Sequence, residues 1–390
     1  MRITEVEPIL LRGDATYQAT AGAEEATDNG DWQLLVRVAT DEGLTGWADV
    51  ETLAPAAVAI IAGQGMSILG FRTLGELLIG ENPLDTARLW DKMYIGSAYY
   101  GRRGIGMQCI SAIDNCLWSI RSQAAGVSLA RMLGGKRRDR ITAYASTLFR
   151  ETPEGMAQAA RGYVARGFHA VKFGWGVFGE DTGRDRELVA AAREALGPDR
   201  HLLVDPGWYP AGWKGEWRPR SRRESIAMCE WLAEYKVGWC EDFIHPERFD
   251  EYAAVRAASP VRIAAGEQVA TMWEFERFIR AGCVDVIQPD LSRCGGISVA
   301  AKVATMAEEA GIDLVPHSWL THLLTGYSLQ LIATLPRAEF VEFNVSQSKL
   351  TKGIARASFD LAPDGTVPIP DTPGIGVEVD LDFVQAHRVN

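Results

Sequence analysis

Acidic residues and one histidine recur at intervals in the second half of the chain, each at the end of a short apolar run. The six residues lie 23 to 36 positions apart, and they are Asp205, Glu241, Glu267, Asp290, His317 and Glu342. An interval of about 25 residues fits one strand, one helix and the loops that join them. Runs without alternation of apolar and polar side chains are typical of parallel strands buried on both faces.

These intervals predict a closed barrel of alternating strands and helices. Two earlier strand runs, beginning at Ile141 and His169, bring the number of predicted strands to eight over about 210 residues. In such a barrel all strands end at the same rim, and enzymes with this fold carry their active sites there. The predicted fold class is therefore α/β, a (β/α)8-type barrel with the polar residues gathered at one rim.

The segments on either side of the barrel predict a second domain. Residues 1–50 have the pattern of strands with a hairpin, and residues 55–133 have apolar residues at helical spacing. We predict an N-terminal α+β capping domain over residues 1–135, the barrel catalytic domain over 140–350, and a C-terminal segment over 351–390 that returns to the cap. The basic stretch 134–140 is interpreted as a solvated linker, and the polar residues 13–31 as a flexible loop that helps to set specificity.

The composition argues against several classes of protein. A formal net charge of −11 disfavours binding to nucleic acid or to an anionic membrane surface. The six cysteines include no Cys-x-x-Cys pair, which indicates reduced thiols. No apolar run approaches ~18 residues, so no membrane span is predicted, and the first twelve residues lack the pattern of a signal peptide. We therefore expect a cytoplasmic protein.

Three of the rim carboxylates have the chemistry of a site for a hard divalent cation. Asp205, Glu241 and Glu267 end three successive predicted strands, and a site made only of oxygen ligands suits Mg²⁺ better than Zn²⁺. A cation there could stabilise the negative charge that forms when a proton is removed from the carbon next to a carboxylate. The alternative is that each acid forms a separate salt bridge at the rim.

Four further residues are candidates for proton transfer and substrate binding. His317 can take and return a proton near neutral pH, and Asp290 would hold one ring nitrogen and raise the basicity of the other. Lys172 could be a base, a contact for a substrate carboxylate, or the ion-pair partner of a metal ligand. Glu342 could hydrogen-bond a substrate carboxylate if a raised pKa keeps it protonated, or it could form a salt bridge.

Taken together, these motifs resemble the enolase superfamily in its mandelate racemase-like branch, and the likeness covers nearly the whole chain, up to the closing sequence PGIGVEVD. The resemblance implies that the Mg²⁺ ligands are Asp205, Glu241 and Glu267. It implies that His317 and Asp290 form the His–Asp dyad of the branch and that Glu342 is the acid at the end of the eighth barrel strand. It also implies a homo-oligomer that acts on a small carboxylate.

The sequence departs from the pattern of the branch at two positions. A Lys-x-Lys motif is common at the end of the second barrel strand, but here the sequence is Lys172-Phe173-Gly174. An Asn often stands two residues after the first metal ligand, but here that residue is Gly207. Racemisation needs a base on each face of the α-carbon, so the missing lysine disfavours it.

Elimination of water needs only one residue that removes the α-proton and then protonates the leaving hydroxyl. We therefore predict a Mg²⁺-dependent dehydratase that converts an acid sugar, an aldonate or aldarate, to a 2-keto-3-deoxy acid. The resemblance supports this activity because related members of the branch have it. The alternatives are a racemase or epimerase of a 2-hydroxy acid, or a catalytically inactive binding protein.

Overall fold

The computed structural model describes residues 1–13, 32–65, 70–209, 218–346, 348–356 and 359–389. Apart from Gly13, the loop that was predicted to help set specificity lies outside the described residues.

The N-terminal region forms an antiparallel sheet of three strands covered by helices. The strands, in the order β1-β2-β3, are β1 (Ile3–Arg12), β2 (Trp32–Thr40) and β3 (Thr45–Val50). The helices are α1 (Ala54–Ala62), α2 (Leu74–Leu78), α3 (Thr86–Gly96), α4 (Ile105–Ala124) and α5 (Leu129–Met132). Helix α4 is buried along most of its length because it packs against β3 on one side and against the barrel on the other.

Parallel strands and helices alternate from residue 140 to residue 344. The strands are β4 (Arg140–Leu148), β5 (Ala170–Gly174), β6 (His201–Asp205), β7 (Val237–Glu241), β8 (Arg262–Ala265), β9 (Val286–Ile287), β10 (Asp313–Leu314) and β11 (Phe340–Asn344). The helices are α6 (Pro153–Ala165), α7 (Thr182–Leu196), α8 (Arg222–Glu234), α9 (Phe249–Ala258), α10 (Met272–Arg280), α11 (Gly296–Ala310) and α12 (His322–Ile332). The hydrogen-bonded order is β10-β9-β8-β7-β6-β5-β4-β11, with β10 and β11 at its two ends. The predicted (β/α)8-type barrel with an N-terminal α+β cap is confirmed.

Side-chain caps mark the starts of two barrel helices. The Thr152 side chain accepts a hydrogen bond from the Gly155 amide, and Pro153 occupies the first turn of α6. Ser221 and Glu224 form a reciprocal capping box at the start of α8. These caps fix where each helix begins.

The inside of the barrel is built in layers. One buried cluster takes a single residue from each of the eight strand regions, and its members are Tyr144, Ala170, Leu203, Trp239, Ala264, Val286, Val315 and Phe340. Side chains alternate between the two faces of a strand, so the residue two positions after each member of this cluster also points into the barrel. Those residues are Ser146, Lys172, Asp205, Glu241, Gly266, Gln288, His317 and Glu342. The barrel therefore carries a polar layer above its apolar core, toward the carboxyl ends of the strands.

The C-terminal segment contacts both the barrel and the cap. It contains α13 (Lys349–Gly353), β12 (Thr366–Pro368) and α14 (Leu381–His387). Strand β12 pairs antiparallel with β4, and the Val389 amide donates to the Leu10 carbonyl of β1 at 2.9 Å. The predicted domain boundaries remain predictions.

The residues of the basic stretch 134–140 are all exposed or half-buried, as expected of a solvated linker, and two of its side chains also bind backbone carbonyls. The Lys136 ammonium donates to the Ile369 carbonyl at 2.9 Å, and the Arg138 guanidinium donates to the Leu335 carbonyl at 2.6 Å. The last backbone carbonyls of a helix have no hydrogen-bond partner within the helix, and cationic side chains can donate to such carbonyls.

All six cysteines are free and buried. In the part of the chain that the structure describes, no helix combines the length and apolar character needed to cross a membrane.

Asp114 connects α4 of the cap to α11 of the barrel. Its carboxylate accepts hydrogen bonds from the Ser298 amide at 2.8 Å and from the Ser298 hydroxyl at 2.7 Å. Burial raises the pKa of Asp114 to about 7 in spite of these hydrogen bonds. An unfolded aspartate titrates near ~3.9, so the folded chain holds this proton more tightly than the unfolded chain. The contribution of Asp114 to stability therefore falls as the pH rises from about 4 to about 7.

We expect the Asp114→Asn variant to lose this pH dependence, because an amide can keep both contacts to Ser298 and does not ionise. Relative to the wild type, its free energy of unfolding should rise by up to ~1.4 kcal/mol per pH unit between about pH 4 and pH 7 and then stay level. Urea unfolding of both proteins across this range measures the difference. If the difference in the free energy of unfolding between Asp114→Asn and the wild type is the same at every pH, the pKa of Asp114 is not raised in the folded protein.

Candidate active site

The predicted site residues meet at the carboxyl end of the barrel. Five of them belong to the polar layer, namely Lys172, Asp205, Glu241, His317 and Glu342. The other two, Glu267 and Asp290, follow β8 and β9 on the loops above it. All seven are buried, with exposed fractions between 0% and 7%. So many buried ionisable groups need one another as partners, because an isolated buried charge is very costly.

Two prolines help to place the dyad at the rim. Pro289 precedes Asp290, and Pro316 precedes His317. Proline has no N–H to donate to a strand ladder, which explains why β9 and β10 are only two residues long. Beyond the prolines the two segments meet once more, at an isolated parallel bridge between Asp290 and His317.

The dyad has the geometry of a proton-transfer pair. The Nδ1 atom of His317 lies 2.5 Å from Oδ2 of Asp290, and an ionised carboxylate can only accept, so Nδ1 carries the hydrogen. The other oxygen of Asp290 accepts from the amide and the hydroxyl of Ser292, both at 2.6 Å. This arrangement fixes the imidazole ring and leaves Nε2 to react.

The surroundings of His317 favour its charged form. Burial alone would lower the pKa of His317, but the charges of Glu267 and Glu342 and the hydrogen bond to Asp290 outweigh it and raise the pKa to about 10. The Nε2 atom lies 3.1 Å from Oε2 of Glu267 and 4.0 Å from Oε2 of Glu342. In this arrangement the imidazole is a proton donor.

Lys172 is held between two carboxylates. Its ammonium pairs with Glu241 and lies 2.9 Å from Oε1 of Glu342. Burial opposes the charge, but these two carboxylates prevail and raise the pKa of Lys172 well above its ordinary value. Of the three roles considered for Lys172, the structure supports that of ion-pair partner, and the neutral form that a base requires is disfavoured.

The surroundings of Glu342 favour its ionised form. Burial would raise the pKa of Glu342, but the positive charges of Lys172 and His317 and a hydrogen bond from Ser146 hold it at about 2. Its second oxygen accepts from the Ser318 amide at 2.6 Å. These contacts favour an ionised Glu342 and therefore the salt bridge, one of the two roles considered for it; the role of a protonated acid that donates to a substrate carboxylate stays a prediction.

The three predicted metal ligands form a buried acidic group. Burial, and then the charges of Glu241 and Glu267, raise the pKa of Asp205 well above its ordinary value. Asp242 adds a fourth buried carboxylate, and its Oδ2 atom has no hydrogen-bond partner in the structure. Mutually repelling carboxylates with an unsatisfied oxygen have the donor chemistry of a site for a hard divalent cation.

The geometry of these acids is set by cations of the protein. Lys172 pairs with Glu241, while His317 and Arg293 pair with Glu267. Within the described ranges, no three Asp, Glu, His or Cys side chains are arranged around a single point as metal ligands. The donor set fits Mg²⁺ in its chemistry, and these ion pairs would have to loosen for it to bind.

The two departures from the pattern of the branch have structural reasons. A Cβ atom at position 174 would lie 3.0 Å from the Asp205 side chain, so any side chain there would require Asp205 to shift by a few tenths of an ångström. Gly207 has a φ of +67°, and a Cβ atom there would lie 2.8 Å from the Trp175 ring. A residue other than glycine at position 207 would therefore be strained and would collide with Trp175.

Aromatic rings line this side of the rim. The Trp175 ring meets the Trp208 ring edge-on at 5.8 Å, and Trp208 packs on His245 at 6.1 Å. Trp175 has a φ of 49°, an uncommon backbone conformation for a bulky residue, directly after β5. Strain of this kind is often found at functional sites.

Sequence reasoning missed the residues that hold the site together. Arg293 contacts Glu267 and the cap residue Glu51, and the Trp239 indole donates to Glu241 at 2.8 Å. Arg293 lies only three residues after Asp290, within the sequence QPDLSRCGG, and that proximity was the available signal. No local pattern marks Glu51 as its partner.

Comparison with known families and proteins agrees with this architecture. Residues 155–383 match the family described as enolase C-terminal domain-like, and residues 26–134 match the mandelate racemase / muconate lactonizing enzyme N-terminal domain. A D-galactarolactone cycloisomerase of Agrobacterium fabrum is 32% identical over 405 residues, which cover 100% of this chain and 99% of that protein. A D-galactonate dehydratase of Xanthomonas oryzae pv. oryzae is 29% identical over 370 residues, covering 92% and 91% of the two chains.

Solved structures resemble the whole fold. The 3,6-anhydro-D-galactonate cycloisomerase from Zobellia galactanivorans superposes with a TM-score of 0.85 at 26% identity, covering 100% of both chains. A member of the enolase superfamily from Polaromonas sp. JS666 has a TM-score of 0.84 at 30% identity, covering 100% of this chain and 98% of that one. The chain is therefore an enzyme of the enolase superfamily, in its mandelate racemase-like branch.

Proposed function

We propose that this enzyme is a Mg²⁺-dependent dehydratase that converts an acid sugar, an aldonate or an aldarate, to the 2-keto-3-deoxy acid. The observation that carries the proposal is the asymmetry of the site. His317 is held by Asp290 with Nε2 directed at the other site residues, whereas Lys172 is paired with two carboxylates and kept charged. A site with one acid–base residue suits elimination, which needs proton transfer from one side, better than racemisation.

His317 would carry out both proton transfers at Nε2, because Nδ1 is occupied by Asp290. Removal of the proton at C2 leaves an electron pair that forms the C2–C3 double bond as the C3–O bond breaks. The leaving hydroxyl takes the proton from Nε2 and departs as water, and the resulting enol rearranges to the 2-keto acid. One residue thus acts first as base and then as acid.

Glu267 would assist this exchange because it lies 3.1 Å from the reacting nitrogen. Its negative charge stabilises the imidazolium that forms when His317 takes up the proton. Lys172 contributes a permanent positive charge to the floor of the site, and Glu342, ionised, keeps that ammonium in place. We propose that Lys172 attracts the substrate carboxylate.

The residues that would hold Mg²⁺ are Asp205, Glu241 and Glu267. When bound, the ion would supply positive charge that stabilises the negative charge forming on the substrate carboxylate, and that offsets the carboxylates which raise the pKa of His317, so that the imidazole can act as a base. Burial of all three carboxylates, with exposed fractions of 4%, 1% and 7%, keeps competing water from weakening these interactions.

The relatives support an acid sugar as the substrate class. They include a D-galactonate dehydratase and, at 28% identity, a D-gluconate dehydratase of Thermoproteus tenax. A second candidate function is that of a cycloisomerase acting on an acid-sugar lactone, because one relative with that activity covers the whole chain at 32% identity. Such a reaction can begin with the same proton removal, with a ring oxygen as the leaving group.

A substrate panel tests the proposal. The protein is incubated with MgCl₂ and, in turn, D-galactonate, D-gluconate, D-galactarate and D-galactarolactone, and each mixture is followed by proton NMR. We expect the methylene signals of a 2-keto-3-deoxy product from at least one open-chain acid, and we expect EDTA to abolish them. Turnover of the lactone alone would favour the cycloisomerase, and epimerised substrate without elimination would favour a racemase or epimerase.

A further inference from the structure

Arg293 links the N-terminal domain to the residues of the proposed site. Its Nε and Nη2 atoms lie 2.9 and 2.5 Å from Oε2 of Glu51, and Nη1 lies 3.1 Å from Oε1 of Glu267. Nε also lies 3.7 Å from Oδ2 of Asp290, the oxygen that binds His317. Arg293 is only 9% exposed, so these contacts are made with little competing water.

Glu51 reaches Arg293 from the end of β3 in the cap. A second carboxylate from the same strand, that of Asp49, accepts from the Thr321 hydroxyl at 2.9 Å and from the Leu324 amide at 3.0 Å. Thr321 follows His317 by four residues, just as Arg293 follows Asp290 by three. The end of β3 is therefore bound to both loops that carry the dyad.

The shape of the guanidinium makes it suited to hold several acids at once. Arginine presents donors in a rigid planar fork and stays charged, whereas lysine is a single point charge on a flexible stem. Nε and Nη2 form one edge of the fork and bind Glu51, and Nη1 on the other edge binds Glu267. This orientation also places Nε 3.7 Å from Oδ2 of Asp290. Glu51 makes the two shortest of these contacts, at 2.9 and 2.5 Å, so its removal would leave the guanidinium held only by Glu267 at 3.1 Å and Asp290 at 3.7 Å.

We propose that Arg293 and Glu51 are positioning residues: Glu51 of the cap orients the Arg293 guanidinium, which in turn fixes Asp290, and through it His317, relative to Glu267. This inference rests on the proposed role of the dyad in proton transfer. If Glu51 has this role, the N-terminal domain contributes to catalysis through a residue that contacts neither the substrate nor Nε2 of His317.

The variants that test this are Arg293→Lys, Arg293→Gln, Glu51→Gln and the double variant Glu51→Gln/Arg293→Gln. The matched control is Arg103→Gln, because Arg103 also ties the cap to the barrel, through Glu247 and Glu274, but both partners lie outside the site. Glu51→Gln and Arg293→Lys are the mild variants, which keep the experiment informative if Arg293→Gln folds poorly.

The first readout needs no substrate and so separates this inference from the proposed function. A short hydrogen bond to a carboxylate moves the Nδ1 proton of His317 strongly downfield in the NMR spectrum of ¹⁵N-histidine-labelled protein, and His317→Asn assigns the signal. We expect Glu51→Gln and Arg293→Lys to shift or broaden this signal and Arg103→Gln to leave it unchanged. An unchanged signal in both site variants would overturn the proposal.

The second readout is steady-state kinetics with the acid of the panel that is turned over fastest. Loss of a residue that orients active-site groups typically costs 10- to 100-fold. We expect kcat to fall about tenfold in Glu51→Gln and about 100-fold in both Arg293 variants, with KM close to that of the wild type. The double variant should be no slower than Arg293→Gln, because Glu51 acts only through Arg293. Multiplicative losses in the double variant, or full activity of Arg293→Lys, would contradict the proposed positioning.

Discussion

The His317→Asn variant is expected to lose at least about 1,000-fold in kcat while remaining folded. General acid–base catalysis by a positioned side chain is worth about 10²- to 10⁴-fold, and His317 is proposed to supply both the base and the acid. An asparagine can still contact Asp290, but it cannot take up a proton. Steady-state rates of product formation, together with thermal unfolding, measure the two effects separately.

The control for this variant is His201→Asn. His201 begins β6, at the opposite end of the barrel from the dyad, where its ring packs on Phe340 at 5.2 Å. The His201→Asn variant should therefore have the same kcat as the wild type. Retention of more than about a tenth of the activity in His317→Asn would rule out His317 as the acid–base residue.

The Asp205→Asn variant is expected to lose activity and to gain stability at the same time. Loss of a ligand to a Lewis-acid ion removes several kcal/mol of transition-state stabilisation, which corresponds to at least about 1,000-fold in rate. In the absence of Mg²⁺, however, the wild-type carboxylate is buried beside the charges of Glu241 and Glu267. A pKa raised in the folded state destabilises the fold near neutral pH by about 1.4 kcal/mol for each unit of the shift, and an asparagine, which does not ionise, removes this cost.

Urea unfolding in EDTA measures the gain in stability, and the rise in melting temperature on addition of MgCl₂ measures binding of the ion. We expect the wild type to respond to MgCl₂ and Asp205→Asn not to respond. The matched control is Asp185→Asn, which neutralises another buried acid, one that binds the Gly179 amide outside the site, and should leave the response intact. A Mg²⁺ response that survives in Asp205→Asn would exclude Asp205 as a ligand.

The parts of the fold that could be predicted from sequence are those that depend on local periodicity. Helix α11, for example, has apolar residues at helical spacing and ends directly before Gly311, and both signals can be read in the sequence. The polar residues at strand ends could be recognised because each ends a short apolar run and the runs recur at intervals of 23 to 36 residues. Their meeting at one rim then followed from the parallel order of the strands.

The parts that could not be predicted depend on contacts between distant residues. Glu342 was expected to be protonated for one of its roles, but its charge state is set by Lys172, which lies 170 positions earlier in the sequence and 2.9 Å away in space. The pairing of Glu51 with Arg293 across 242 positions likewise leaves no trace in local sequence. Protonation states and inter-domain ion pairs are properties of the assembled site, so they require the structure.

The missing second lysine illustrates a third case. The sequence alone showed that Gly174 replaces it, but not that the Asp205 carboxylate lies within 3.0 Å of any side chain placed there. A side chain at position 174 would therefore require a proposed metal ligand to shift by a few tenths of an ångström.

The most direct test of the central claim is to run the reaction in D₂O with the acid sugar that the protein turns over, and to locate deuterium by NMR. Removal of the C2 proton with loss of the C3 hydroxyl predicts a 2-keto-3-deoxy product with one deuterium at C3, and recovered substrate that keeps its proton at C2. Recovered substrate with deuterium at C2 and no elimination product would contradict the dehydratase and would indicate a racemase or epimerase.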